Sequence, residues 1–358
     1  MLTFKKFYTK PLYNFILFLS LIIFFFSTAK VQAKAFEIDN IEISRPFEIN
    51  FDKNKVIDEG FKKAFFELIL LIVNSSDQKK IGLTKLNEIK GMIDSFSIKE
   101  EKFIEETYYV TLGVSFNKKE IFRYLEKKNI FPSIPIKNKF LFIPIVIDEK
   151  NKDLLIFENN KIFDEWNNYT ENFHLIEYVL PTEDLEDLNL IKKKFDIIEQ
   201  YDFKEIIDKY YLDYSIISLI FKNDNEVRVL SRITEKENII LTNQSYSNMD
   251  INKLTDAKKL VQNLKFIYED YWKKTNQINT SIKLPIYIKV KNSNNSKISA
   301  LEKILENTDL IYDFFVSKFN KDYIFFQIIY NGEPSNFLKT MSDNDLNFNT
   351  QNKIWILK

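Results

Sequence analysis

Residues 174–188, HLIEYVLPTEDLEDL, carry the chain's single histidine and, after Pro181, four carboxylates within five positions. Glu183, Asp184, Glu186 and Asp187 offer the oxygen donors that a hard cation such as calcium takes. A carboxylate-dependent enzyme or a divalent-cation binder would use Asp184 and Asp187, assisted by Glu183 or Glu186, converging in a cleft with a raised pKa. The same residues also read as a helix start. Pro181 ends an apolar strand, Thr182 or Asp184 is a natural N-cap, and acids are favoured in a first turn by unpaired backbone N–H groups. No D-x-D-x-D-G loop is present. The junction reading is therefore preferred, and no metal, cofactor or catalytic residue is assigned. His174, at the entry to that strand, is read as a surface or strand-end residue.

Other chemistries have less to work with. Triads need a positioned base, for which His is the usual choice. Without cysteine there is no disulfide, thiolate nucleophile, cysteine metal site or lipid-modified cysteine, and a structural zinc site has no ligand set. Gly60, Gly82, Gly91, Gly113 and Gly332 are scattered, so no phosphate-cradling loop exists. Trp166, Trp272 and Trp355 are read as core or interface residues rather than a stacking platform.

The first 33 residues read as an export pattern. Lys5, Lys6 and Lys10 precede the apolar run Phe15–Phe26, and Val31-Gln32-Ala33 has the small-residue spacing of a signal peptidase site. Cleavage after Ala33 and a periplasmic chain are expected. The alternative is an inner-membrane anchor through residues 12–29 with the rest periplasmic. Loss of residues 1–33 removes Lys5, Lys6, Lys10 and Lys30 and no acid, leaving 47 basic against 51 acidic residues, a formal charge of −4. That balance argues against a general nucleic-acid binder. At 45% hydrophobic residues, a sizeable core is available.

The length of 358 residues fits several units. An N-terminal α/β module (34–129) has a strand from Ala35, a helix over 52–73, a helix near 83–93, a long strand or hairpin, and a helix over 118–127. A proline-bearing linker (130–139) follows. The middle α/β module (140–248) opens on FLFIPIVI, an apolar run typical of a strand buried on both faces. It continues with helices near 160–168, 185–195 and 203–210, and closes as a meander over 214–221, 227–233 and 239–245. A mixed sheet with helices packed on it is expected. The C-terminal module (249–358) starts with a helix capped by Asp250 or Asn252 and carries the β-α-β-β-α-β order of a ferredoxin-like sandwich. The fold class is thus α/β and α+β.

Several of these segments together resemble an exported bacterial family, domain of unknown function 2066. They are GFKKAFFELILLIVNSS, LGVSFN, FLFIPIVID, YVLPTEDLEDL, DYSIISLIF and QIIYNGEPSNFLKTM…WILK. The resemblance covers most of the chain beyond the leader and implies no established activity or site residues. More loosely, the middle unit looks like the α/β modules of periplasmic envelope-assembly proteins, an analogy of fold alone. Export, modular layout and lack of catalytic machinery point to a non-enzymatic envelope protein. Its partner would be another protein or an envelope component met at exposed strand edges.

Overall fold

Alternating and helical apolar patterns sort the chain into three sheets, each with helices against it. A computed structural model describes residues 36–171, 173–236, 238–308 and 310–358. The expected leader, the cleavage after Ala33 and the anchor through 12–29 lie outside these residues.

In the first segment, β1 (Glu37–Pro46) precedes α1 (Lys53–Ile72), α2 (Ser75–Gln78) and α3 (Leu86–Gly91). Next come β2 (Ile93–Ile104), β3 (Thr107–Phe116) and α4 (Lys118–Lys127). The antiparallel sheet has the order β1-β3-β2. Asp52 caps α1 by accepting from the Asn54 N–H at 2.9 Å. Phe61, Ala64, Phe65, Leu68 and Ile72 then bury one stripe of the helix. Gly60 permits the contact with β3, since a Cβ there would collide with Leu112. The β2–β3 hairpin turns at Glu105 and Glu106, both left-handed at φ 46° and 58°. A loop of that kind is normally marked by Asn or Gly.

The second sheet is built on β4 (Asn138–Asp148). Phe140, Phe142 and Val146 enter one core, and Leu141, Ile143, Ile145 and Ile147 enter the opposite one. This is the two-faced burial expected of an unbroken apolar run. Then follow β5 (Asp153–Leu155), α5 (Lys161–Trp166), β6 (Ile176–Val179), α6 (Leu185–Lys192) and α7 (Lys204–Ile207). The meander β7 (Tyr214–Asn223), β8 (Glu226–Glu235) and β9 (Asn238–Ser247) completes it. β4 pairs parallel with β6 and β7, whereas β7-β8-β9 is antiparallel, giving the expected mixed sheet.

Helix α8 (Leu254–Thr275) differs from expectation in place and in capping. Its face of Ala257, Leu260, Val261, Leu264, Tyr268 and Trp272 fills the second core with Phe140, Phe142 and Trp166, rather than opening a third unit. Its N-cap is Lys253, which makes no side-chain cap bond, instead of Asp250 or Asn252. Asp250 is engaged by the Asn252 N–H, and its own N–H donates to Asp256.

The last sheet contains β10 (Leu284–Lys291), α9 (Asn295–Asn307), β11 (Ile311–Phe319), β12 (Tyr323–Tyr330) and α10 (Pro334–Ser342). It ends with β13 (Phe348–Asn349) and β14 (Ile354–Leu357). The order β11-β12-β10-β14 matches the ferredoxin-like arrangement, with one addition. After a crossover from β12, the next strand should run antiparallel to β10, yet β14 runs parallel to it. The two-residue β13 accounts for this: it takes the expected direction at the sheet edge and hairpins back into β14.

Candidate functional site

The acidic junction was the first place to look for chemistry, and its side chains are committed to structure. Asp184 is the N-cap of α6, its Oδ1 accepting from the Glu186 N–H at 2.7 Å. The Lys209 ammonium donates to Asp184 at 3.3 Å and to Asp187 at 2.7 Å. Asp187 is 3% exposed, whereas Glu183 and Glu186 face solvent. The Glu186 amide and then Lys209 hold the Asp184 carboxyl below its usual range, and Asp187 pushes Lys209 up. A general acid needs the opposite shift. Glu183 and Asp184 rim a cleft of about 330 Å³ with Phe157, Leu185 and Leu188, into which Asp187 does not extend. No group of three or more metal-ligating side chains occurs among the described residues.

The carboxyl ends of parallel strands are where open α/β sheets commonly bind ligands. Here the ends of β4 and β7 are tied together. Lys222 pairs with Asp148 at 2.8 Å and donates to the Asn252 side chain at 3.1 Å. Burial pushes the Asp148 carboxyl up, but Lys222 and the Asn151 donors outweigh it and hold it at about 2.

Sequence reasoning missed the most unusual electrostatic feature. Lys265, Glu269 and Lys273 lie four residues apart on α8 and are 1%, 3% and 4% exposed. The Glu269 carboxylate accepts from the Leu175 and Ile176 N–H groups at 2.9 and 3.0 Å, pinning the start of β6. Lys265 donates to the Tyr169 carbonyl and lies 5.3 Å from the Trp166 ring and 5.1 Å from that of Tyr178. Lys273 donates to the Leu70 carbonyl at 2.5 Å, at the end of α1. Burial lowers Lys265 to about 8, lowers Lys273 and raises Glu269. His174 belongs to this cluster: it is buried rather than at the surface, and its Nδ1 accepts from the Glu171 N–H at 3.4 Å. Burial first, and then Lys265 and Lys273, lower its imidazole to about 4. Each charged group of the ladder is spent on backbone atoms of the fold.

Trp166 and Trp272 are core residues, as expected, and Trp355 is half-buried. Trp272 also donates to the Ile136 carbonyl at 2.6 Å, so the proline-bearing segment is held against α8.

Unsatisfied binding capacity lies instead at the sheet edges. Among the described residues, four edge strands reach nine residues or more: β1, β2, β9 and β11. Natural edges are commonly blunted by charges, prolines or bulges. β1 carries Glu37, Asp39, Glu42 and Arg45, shifts register between Ile38 and Ile41, and ends on Pro46. β2 holds Asp94, Lys99, Glu100, Glu101 and Lys102 with two register shifts. β11 has Asp313, Lys318 and two shifts. β9, NIILTNQSYS, has no charge and no proline, and it pairs with β8 in unbroken register over ten residues. Ile239, Ile240 and Leu241 on it are 60%, 42% and 63% exposed.

A second exposed apolar surface, the face of the last sheet bearing Tyr287 and Phe315, is partly screened by its own lysines. Lys289 sits over the Tyr323 ring at 4.8 Å and Lys318 over Phe325 at 5.9 Å.

No family model and no curated protein sequence matches the chain. No helix among the described residues is long and apolar enough to cross a membrane.

Proposed function

We propose that this chain is an exported, non-enzymatic protein of the cell envelope that binds another chain by accepting its extended segment on the β9 edge. The observation that carries this reading is β9 itself, an uncharged ten-residue edge in regular register with exposed Ile239, Ile240 and Leu241. Backbone N–H and C=O groups along such an edge offer a ladder for an added strand, and pockets for alternate side chains supply selectivity. Charges and bulges on β1, β2 and β11 discourage the same event there. Export rests on the tripartite pattern of residues 1–33, and the envelope assignment on that export pattern together with the modular layout. The partner is an envelope protein; neither a nucleic acid nor a cofactor enters the proposal.

The test places a photo-reactive aromatic residue at Leu241 in the producing cell at native expression level, with exposed Lys150 as control. The expected result is a discrete protein adduct from position 241 and none from position 150, on a chain whose mature mass begins at Lys34. Absence of an adduct at 241, or equal adducts from both positions, contradicts edge binding. A chain retaining residues 1–33 contradicts cleavage alone.

A further inference from the structure

We infer that the chain accepted by β9 is a second copy of this protein, whose own β9 pairs antiparallel with the first across a two-fold axis. This rests on the reading of β9 as the binding edge and goes beyond it by naming the occupant.

The first argument is charge. A two-fold axis normal to the sheet sets a strand against its own reversed sequence, so every register opposes residues drawn from the same ten. Directly opposed like charges destabilise a strand pair. β2 and β11 carry charges that self-pairing would bring together, whereas Asn238–Ser247 carry none in any register. Self-pairing on β9 therefore has neither like-charge repulsion nor buried ions to overcome. The whole chain has 51 basic and 51 acidic residues, a net charge of zero, so copies are not held apart at long range. The balance of −4 expected without residues 1–33 is small for the size of the chain.

The second argument is what the pairing covers. Faces are preserved across such an axis, so odd-numbered residues meet odd-numbered ones. Ile239 and Leu241 of each copy then fall beside Asn243, Ser245 and Ser247 of the other. The added strand thereby takes part of the exposed Ile239 and Leu241 surface of each copy out of water. On the even face, Tyr246, packed against the second core, lies in line with Ile240 of the other copy.

The third argument is closure. Using β9 leaves the far side of the sheet as the only place for further growth, and there the strands are β5, of three residues, and β6, of four. Neither offers a ladder long enough to propagate, so the assembly stops at two copies.

The test is sedimentation equilibrium of the full purified chain, at about 1 to 100 µM, for wild type, Leu241→Lys and Leu241→Glu. Because Leu241 is exposed, neither change touches the core. The expected result is a two-copy mass for wild type and at least tenfold weaker association for each variant. Wild type remaining at one-copy mass throughout overturns the inference, as does undiminished association of both variants. Cross-linking at Leu241 separates the two levels. A monomer that still yields a Leu241 adduct with a different protein overturns the second copy and leaves edge binding standing. A monomer with no such adduct overturns both.

Discussion

At the scale of residues, the groups that first suggest catalysis turn out to be held by the fold. Asp184 and Asp187 are occupied by a helix start and by Lys209, while the more unusual chemistry sits in Lys265, Glu269 and Lys273. Replacing Glu269 with Gln removes a negative charge that both buried ammonium groups feel and sets an amide donor against a backbone N–H. Breaking such a buried arrangement costs about 3–5 kcal/mol, so Glu269→Gln is expected to lose stability on that order in urea unfolding; a loss under about 1 kcal/mol would contradict the assignment. His174 adds a pH dependence. Burial, and then Lys265 and Lys273, bring its imidazole down to about 4 in the folded chain, against 6.5 for the free side chain. Between those values the unfolded state binds the extra proton, so stability falls as pH drops from 6.5 to 4, by at most about 1.4 kcal/mol per pH unit. His174→Gln is expected to flatten that part of the curve, measured by thermal unfolding over a pH series. The ladder was not legible in sequence, because Lys, Glu and Lys at spacings of four look the same on a solvated helix face. Only the packing of α8 against β6, α5 and the end of α1 distinguishes them.

At the scale of elements, most of the fold could be read from pattern. α1 and α4 follow from helical spacing, and β4 follows from its unbroken apolar run. Three features escaped for physical reasons. The β2–β3 turn uses Glu105-Glu106, which carries no turn signature, so a strand could not be told from a hairpin. β13 is only two residues long, too short for any periodicity, yet it reverses β14. The N-terminus of α8 lacks a side-chain cap although Asp250 and Asn252 stand just before it. The acidic junction, by contrast, was readable, because Pro181, an N-cap acid and first-turn carboxylates form a local signal. If it is a helix start, Asp184→Ala lowers the melting temperature through the lost N-cap, and calcium, magnesium or manganese leave it unchanged. A rise of several degrees with any of these ions, lost in Asp184→Asn and Asp187→Asn, would restore the cation-binding reading.

At the scale of the whole molecule, α8 joins segments far apart in sequence. It completes the second core, holds the end of α1 through Lys273 and receives the proline-bearing segment through Trp272. From residue 36 onward the described chain forms one compact unit that includes the sheet ending in β9. Which edge was open could not be read from the sequence. The Ile239–Ser245 stretch reads as a strand, but its position at the border of a sheet is a property of topology. The most direct measurement is amide hydrogen exchange of the full chain across a concentration series, resolved by strand. Pairing of β9 with a second copy requires slowing of exchange in residues 238–247 as concentration rises, with β2 and β11 unchanged. Concentration-independent exchange in β9, accompanied by protection appearing in β2 or β11, would contradict it.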